Sequence, residues 1–507
     1  MFCCKRIFVL VFAVCLQVLV GQDSLLPVKY VFLFIGDGMS YPQRQITEEY
    51  LQATQQRGLL INSLPCRVGS TTYSANAAIT DSAASGTAIA CGLKTNNGIL
   101  GQDPAGNRLE SIAETAKKNG RKVAIITSVT LNHATPAAFY GHRKSRSLYY
   151  ELGVDLVHSG FDFFGGGDIA HADKVPSSIS PEENVGNLLE YAQTKGYKVF
   201  FGRDLLKCQP ADGKVIAVGR KGGTLPLTME WSEEVPTLAE ITRKGIEMID
   251  NEAGFFMMVE GGMIDWACHS NDLGSTLQET IAFDDAVKVA YEFYQKHPGD
   301  TLIVVTGDHE TGGLTLGVQG ETYHSKISNV AAQKTSCTVF NACFSNLKKT
   351  NPKAAFADIK PFLTASFGFQ FTDAEEGGAV IRLTAAEQQK LECSFYRAMG
   401  NNETLGKCFA NPADGKEFAK TDPGFLRLAN LLLSEKANVF WMTTGHTALP
   451  VCTSAVGRYA EEFTTPDPAV VAANQPFQQP GLAIPAAAND NTDIAKRLRA
   501  IMGKIPR

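Results

Sequence analysis

Residues 301–313 read TLIVVTGDHETGG, and the organisation of the chain can be worked out from them. Six apolar and β-branched residues without polar alternation suit a strand covered on both faces of a sheet. The residues that follow set Asp308, His309 and Glu310 between glycines, where that strand must stop. Glycine there lets the backbone turn sharply and lets a ligand come close. Other runs share this form. Residues 30–35 (YVFLFI) enter Gly36-Asp37-Gly38, and residues 122–128 (KVAIITS) lead on to His133 and Thr135. Residues 255–259 (FFMMV) end at Glu260-Gly261-Gly262, with Asp265 and His269 just beyond. Residues 439–443 (VFWMT) lead into Thr444-Gly445-His446. Each predicted strand thus delivers Asp, Glu or His near its carboxyl end, where open α/β sheets bind their ligands.

Between these runs lie helical patterns at residues 109–118, 237–251 and 276–295, with apolar residues recurring at helical spacing. The alternation predicts an α/β fold, a three-layer α/β/α sandwich around a large, mostly parallel central sheet. Residues 320–437 break the rhythm: they hold Cys337, Cys343, Cys393 and Cys408, a helical piece at 385–399 and no comparable strand run. They read as an inserted subregion within one catalytic domain spanning 22–507. A stretch rich in Ala, Pro and Gln at 466–488 precedes a closing helix at 493–502. No internal repeat is visible.

At 507 residues and 44% hydrophobic, the chain can bury a large core. A formal net charge of -5, with 20% charged residues and no basic stripe, argues against a nucleic-acid partner. Lys5 and Arg6 precede an apolar run at 7–20, followed by Gly21. Residues 1–21 therefore read as a signal peptide, an uncleaved N-terminal anchor being the alternative. The run is short for a membrane span and no later stretch is long enough, so export without a stable membrane span is expected, to a periplasm or as a secreted protein. Three of the 12 cysteines fall inside this leader, and none of the rest forms a C-x-x-C pair, which disfavours a thiolate zinc site. In an oxidising compartment Cys337 with Cys343, or Cys393 with Cys408, are local candidates for pairing.

Imidazoles mixed with carboxylates suit Zn²⁺, with a harder oxygen-liganded ion such as Mg²⁺ beside it. A lone Asp between glycines is usually a turn, a lone His is usually structural, and Glu260 alone could cap a helix. Their conjunction at successive strand ends has no such bland explanation. The nucleophile candidate is Ser82, in ITDSAASGTA at residues 79–88. Small residues after it could start a helix whose first amides and dipole attract phosphate and favour an alkoxide. A metal can lower the hydroxyl's pKa directly, so no histidine base is required. A plain Ser/Asp N-cap is the alternative.

DSAASGTA at 81–88, VEGGMIDWACH at 259–269, GDHETGG at 307–313 and TTGHT at 443–447 together resemble the motifs of the alkaline phosphatase family. The resemblance runs in order from about residue 28 to 463, and DNTDIA at 490–495 is similar too. It implies that Ser82 attacks phosphorus to give a phosphoserine, later hydrolysed. It implies a first zinc held by Asp265, His269 and His446, and a second held by Asp37, Asp308 and His309 that activates Ser82. A third site, normally magnesium, would use Asp37, Thr135 and Glu260, with His133 acting directly or through water. Arg146 falls where the family places an arginine that clamps two phosphate oxygens, a task suited to a planar fork. Trp266 stands where other members carry Lys or His, a departure expected to affect product release. Cys268 beside His269 reads as a small buried side chain. The resemblance further implies small phosphomonoester substrates and a homodimer.

Phosphodiesterases of the same superfamily share this scaffold, as do phosphonate hydrolases and sulfatases, and fold does not fix function. No C/S-x-P-x-R context accompanies Ser82, and no G-x-S-x-G elbow surrounds it. A non-catalytic exported protein that binds metal or phosphate is the alternative outside enzymology.

Overall fold

The computed structural model describes residues 27–317, 323–371, 381–409, 412–463 and 489–502. The leader at 1–21 and the stretch at 466–488 lie outside the described residues. Eight strands, β1 (Tyr30–Gly36), β2 (Cys66–Thr71), β3 (Lys122–Thr127), β4 (Phe163–Gly166), β5 (Tyr197–Phe201), β6 (Lys214–Val218), β7 (Phe255–Gly261) and β8 (Thr301–Gly307), form most of a 10-stranded sheet. Its order is Asn489–Asp490, β2, Val451–Gly457, β8, β1, β7, β3, β4, β6, β5. Only Val451–Gly457 runs against its neighbours, and every other pairing is parallel. This is the α/β architecture with a mostly parallel sheet that the strand and helix alternation predicts.

The central strands β1, β7 and β8 are buried at every position. Their alternate side chains feed separate cores on the two faces. Val31, Leu33 and Ile35 pack with the helices Ser82–Cys91, Ile112–Lys118, Tyr149–Ser159 and Thr492–Met502 on one face. Tyr30, Phe32 and Phe34 pack with the helices Tyr41–Gln55, Leu238–Ile249 and Leu273–Lys296 on the other. Two covered faces explain why these strands carry no polar alternation. None of the described helices is long and apolar enough to cross a membrane.

One predicted strand is corrected. Residues 439–443 do not join the large sheet; Val439–Trp441 pairs only with Leu314–Leu316, antiparallel. Val439 and Trp441 are buried, whereas Phe440 is 37% and Met442 71% exposed. The run is a one-sided ribbon, whose period-2 burial is hidden because its outward residues are apolar as well.

The inserted region has its own apolar core. Phe340, Phe356, Phe367, Leu391, Phe395 and Phe425 are buried together, apart from the two sheet cores. They come from the helices Cys337–Thr350, Phe356–Phe367, Ala385–Met399 and Phe425–Lys436. The candidate disulfides do not form in this structure: all nine cysteines from Cys66 to Cys452 are free thiols. Cys337 and Cys343 share one helix, and six residues at 3.6 per turn place them on different sides. Cys393 and Cys408 are close enough for their thiols to share a hydrogen bond.

Register sets up the site. Gly36 lies level with Gly261 on one side and Gly307 on the other, so three central strands end flush. Thr127 lies level with Glu260. At Gly307 a methyl group would sit 2.0 Å from the Met39 carbonyl oxygen, so only glycine lets the turn after β1 cross the end of β8. We expect Gly307→Ala to cost about 2–4 kcal/mol, because the obstruction is backbone and cannot rotate away. Chemical denaturation of the metal-free protein checks this. An unchanged midpoint would mean that the 37–39 turn is free to shift.

Candidate functional site

The flush ends bring distant residues together. Asp37 follows β1, Glu260 is the penultimate residue of β7, and Asp308 and His309 follow β8; all four are fully buried. The short helix Met263–His269 presents Asp265 and His269 one turn apart, with 3.1 Å between His269 Nε2 and Asp265 Oδ2. His446 arrives on a two-residue strand paired with Glu310–Thr311, opposite Thr311. Its ring stacks on that of His309 at 3.6 Å between centroids.

Three clusters result, each with ligand-capable atoms within 4.8 Å of one another: Asp265, His309 and His446; Asp37, Asp308 and His309; and Asp37, His133 and Glu260. His269, expected in the first, adjoins it, its Nε2 standing 3.3 Å from His446 Nε2. Thr135 Oγ1 reaches Asp37 Oδ2 at 3.4 Å beside the third. The structure therefore brings all of Asp37, Ser82, His133, Thr135, Glu260, Asp265, His269, Asp308, His309 and His446 into one continuous site.

The donor set fits cations. His446 Nδ1 lies 2.9 Å from the Thr80 carbonyl oxygen, and His269 Nδ1 lies 2.5 Å from that of Thr444. With each Nδ1 against a carbonyl, both Nε2 atoms are turned into the site, the arrangement of metal-binding histidines. His309 Nε2 is 3.2 Å from Ser82 Oγ, 3.3 Å from Asp37 Oδ1 and 3.2 Å from Asp308 Oδ2. One ring N–H cannot satisfy three acceptors, but a shared cation can. Asp37 Oδ1, Asp308 Oδ2, Glu260 Oε1 and His133 Nδ1 are all buried without a hydrogen-bond partner. Buried polar atoms left unpaired are costly, and four at one place point to a missing positive charge.

The electrostatics agree. Burial, then the facing Asp308, drives the Asp37 carboxyl well above its usual range. Burial and Asp265 push Asp308 up to about 8. Burial lifts Glu260 to about 7 despite a hydrogen bond from Thr127. Burial would raise Asp265 too, but its contacts with His269, His309 and His446 win and hold it low. Burial, reinforced by Arg146, lowers the His133 imidazole to about 3, so it stays a neutral base.

Ser82 opens the helix Ser82–Cys91 and is 1% exposed. The preceding Asp81 caps that helix, accepting from the Ala84 amide at 3.0 Å. Its other oxygen accepts from Arg146 Nη1 at 3.0 Å, while Arg146 Nη2 lies 3.2 Å from His133 Nε2. The guanidinium is thus aimed across the mouth of the site. Trp266, 44% exposed, meets the His133 ring edge-on at 6.2 Å. Cys268 is buried, as its sequence context suggests.

Several supporting residues lie within the quoted motifs, which gave them no role. Thr311 Oγ1 lies 2.5 Å from Asp265 Oδ1 and 3.2 Å from His309 Nδ1, joining two clusters. Glu310 accepts from Gln43, the Gly313 and Leu314 amides and Thr447, so it fastens the strand that bears His446. Asn491, within DNTDIA, donates to Ser85 Oγ at 2.9 Å, and Ser85 donates to the Asp308 carbonyl at 2.6 Å. The C-terminal segment thereby braces the helix that opens with Ser82. Alternation from His309 to Thr311 is the one clue that could have singled out Thr311.

The family model described as alkaline phosphatase matches residues 28–465. Alkaline phosphatase 4 of Bacillus subtilis is 34% identical over 265 residues, covering 51% of this chain and 55% of its own. The chain thus spans little more than half of that relative's length. Alkaline phosphatase of Escherichia coli is 31% identical over 341 residues, with 57% of this chain and 72% of its own covered. Among solved structures, the cold-active alkaline phosphatase of Shewanella sp. superposes with a TM-score of 0.69 at 25% identity, covering 94% of this chain and 100% of its own. Sequence and architecture agree over nearly the whole described chain, which belongs to the alkaline phosphatase family.

Proposed function

We propose that this chain hydrolyses phosphate monoesters, passing the phosphoryl group first to Ser82 and then to water. The observation that carries the reading is the place of Ser82 Oγ: at a helix N-terminus, 3.2 Å from His309 Nε2, amid carboxylates and imidazoles short of positive charge. Asp265, His269 and His446 would hold one zinc ion, and Asp37, Asp308 and His309 a second beside Ser82. Asp37, Thr135 and Glu260 would hold magnesium, with the unpartnered Nδ1 of His133 available directly or through a water. Bound there, these cations supply Lewis-acid neutralisation of phosphoryl oxygens and lower the pKa of a coordinated hydroxyl.

The chain's own residues account for the rest. Ser82 Oγ forms a bond to phosphorus as the bond to the leaving oxygen breaks; the serine proton passes to solvent, and solvent returns one proton to the departing alkoxide. Water oxygen then bonds to phosphorus as the Ser82 Oγ–P bond breaks, phosphate departs, and a proton from that water restores the hydroxyl. The amides and dipole at the start of Ser82–Cys91 favour the anionic oxygens. Asp81 and His133 hold the Arg146 fork in one orientation, so less freedom is lost when it takes two phosphoryl oxygens. We also infer that the leader at 1–21 is removed on export and that the active form is a homodimer, on the grounds of its charged and apolar regions and the family resemblance.

Turnover of p-nitrophenyl phosphate by the purified mature chain is expected to vanish on chelation and to return with Zn²⁺ and Mg²⁺. Ser82→Ala should lower kcat by at least about 10³-fold, the scale of losing a covalent nucleophile. Arg146→Ala should lower kcat/KM about 10- to 100-fold, matching about 1.5–3 kcal/mol for a charged hydrogen-bonding group. Monoester turnover that survives complete metal stripping would sink the reading. Preference for a bis-aryl phosphate would move it to a phosphodiesterase.

A further inference from the structure

The inserted region grips the residues that follow His269. Asn430 Nδ2 donates to the Ser270 carbonyl at 3.2 Å, and Arg427 Nε donates to Asn271 Oδ1 at 2.8 Å. Gln333 Nε2 and the Cys337 amide donate to the two oxygens of Asp272, at 2.6 and 2.7 Å. Gln333 Oε1 in turn accepts from the Gly274 amide at 2.9 Å. Four residues of the insertion thus bind one short segment, and none of them touches the clusters described above.

Asn271 is the centre of this grip. It is fully buried and sits in the left-handed region at φ 49°, which a non-glycine residue occupies at some cost. Its Nδ2 donates to the Thr443 carbonyl at 2.9 Å and lies 3.2 Å from that of Cys268. Cys268 precedes His269, and Thr443 lies three residues before His446. The Thr444 carbonyl, next in the chain, is the partner of His269 Nδ1. A single amide therefore ties together the two segments that carry His269 and His446, which lie 177 residues apart in sequence.

We infer that the insertion positions the first zinc site, with Arg427 locking Asn271 so that His269 and His446 face each other at ligand separation. Arg427 and Asn271 are positioning residues: they act on the imidazoles through the backbone at 268 and 443–444. The inference rests on the assignment of Asp265, His269 and His446 as zinc ligands. It adds that this zinc, and not its neighbour, depends on the inserted region. The Asp37, Asp308 and His309 ligands are fixed from β1 and β8 and receive no hydrogen bond from the insertion among the described residues.

The test is a chelator titration of the zinc-loaded full chain, counting retained zinc, for wild type, Arg427→Ala and Asn271→Gly. Glycine accepts φ 49° without strain, so Asn271→Gly removes the amide links while sparing the backbone conformation. Both variants should lose one zinc at a chelator concentration about tenfold lower than wild type, the usual scale for supporting groups around a metal. The second zinc should titrate as in wild type, and excess zinc should restore kcat. Unfolding of the metal-free proteins serves as the control: each variant should keep one cooperative transition, with Asn271→Gly losing about 1–3 kcal/mol for the buried partners it leaves unpaired. Variants that hold both ions as wild type does, or that loosen both equally, overturn the inference while leaving the site assignment standing. A wild-type chain that takes up no zinc overturns that assignment as well.

Discussion

The convergence of buried carboxyl groups at one edge of the sheet is the constraint on which this structure turns. Asp37, Glu260, Asp265 and Asp308 converge where three parallel strands end level, at a depth where solvent cannot screen them. Burial and mutual repulsion push the carboxyls of Asp37 and Asp308 upward, and four buried polar atoms have no hydrogen-bond partner. Such an arrangement is poor design for stability and good design for capturing cations. The surrounding fold offsets it with two fully apolar cores, one on each face of the sheet.

Around this centre the polar partners work mainly on orientation. Carbonyls of Thr80 and Thr444 select the imidazole tautomers, Thr311 spans two clusters, and Glu310 anchors the ribbon that carries His446. Asp81 both caps the helix that opens with Ser82 and aims Arg146, so one side chain sets helix initiation and the guanidinium's direction together. Such groups contribute little to the choice of ligand and much to its geometry.

Much of this was legible in the sequence because the strands are short, apolar and closed by glycine. Runs such as 30–35 and 301–306 have no reasonable reading but a doubly covered strand, and the residues after them had to emerge on one edge. Residues 439–443 show the limit. Apolarity on both faces suggested a central strand, yet Phe440 and Met442 face outward, and only the tertiary surroundings decide that. Residues 320–437 stood out by their broken rhythm. Their grip on residues 270–274 did not, because hydrogen bonds made by Gln333, Arg427 and Asn430 leave no periodic trace. Asn271 looks like any turn residue until its φ and partners are known.

The distribution of these residues along the chain has a consequence for assembly. The residues gathered at the site begin with Asp37 and end with His446, and Asn491 braces the helix that bears Ser82. The group of Asp37, His133 and Glu260 is complete half way along the chain, whereas that of Asp265, His309 and His446 waits for nearly all of it. A shorter length of chain brings local pairs to that second group, Asp265 with His269 and Asp308 with His309, but not their distant partner. Completion of that group therefore requires the middle and the late part of the domain to have met, so it serves as a seal on a finished molecule and not as a seed for an unfinished one.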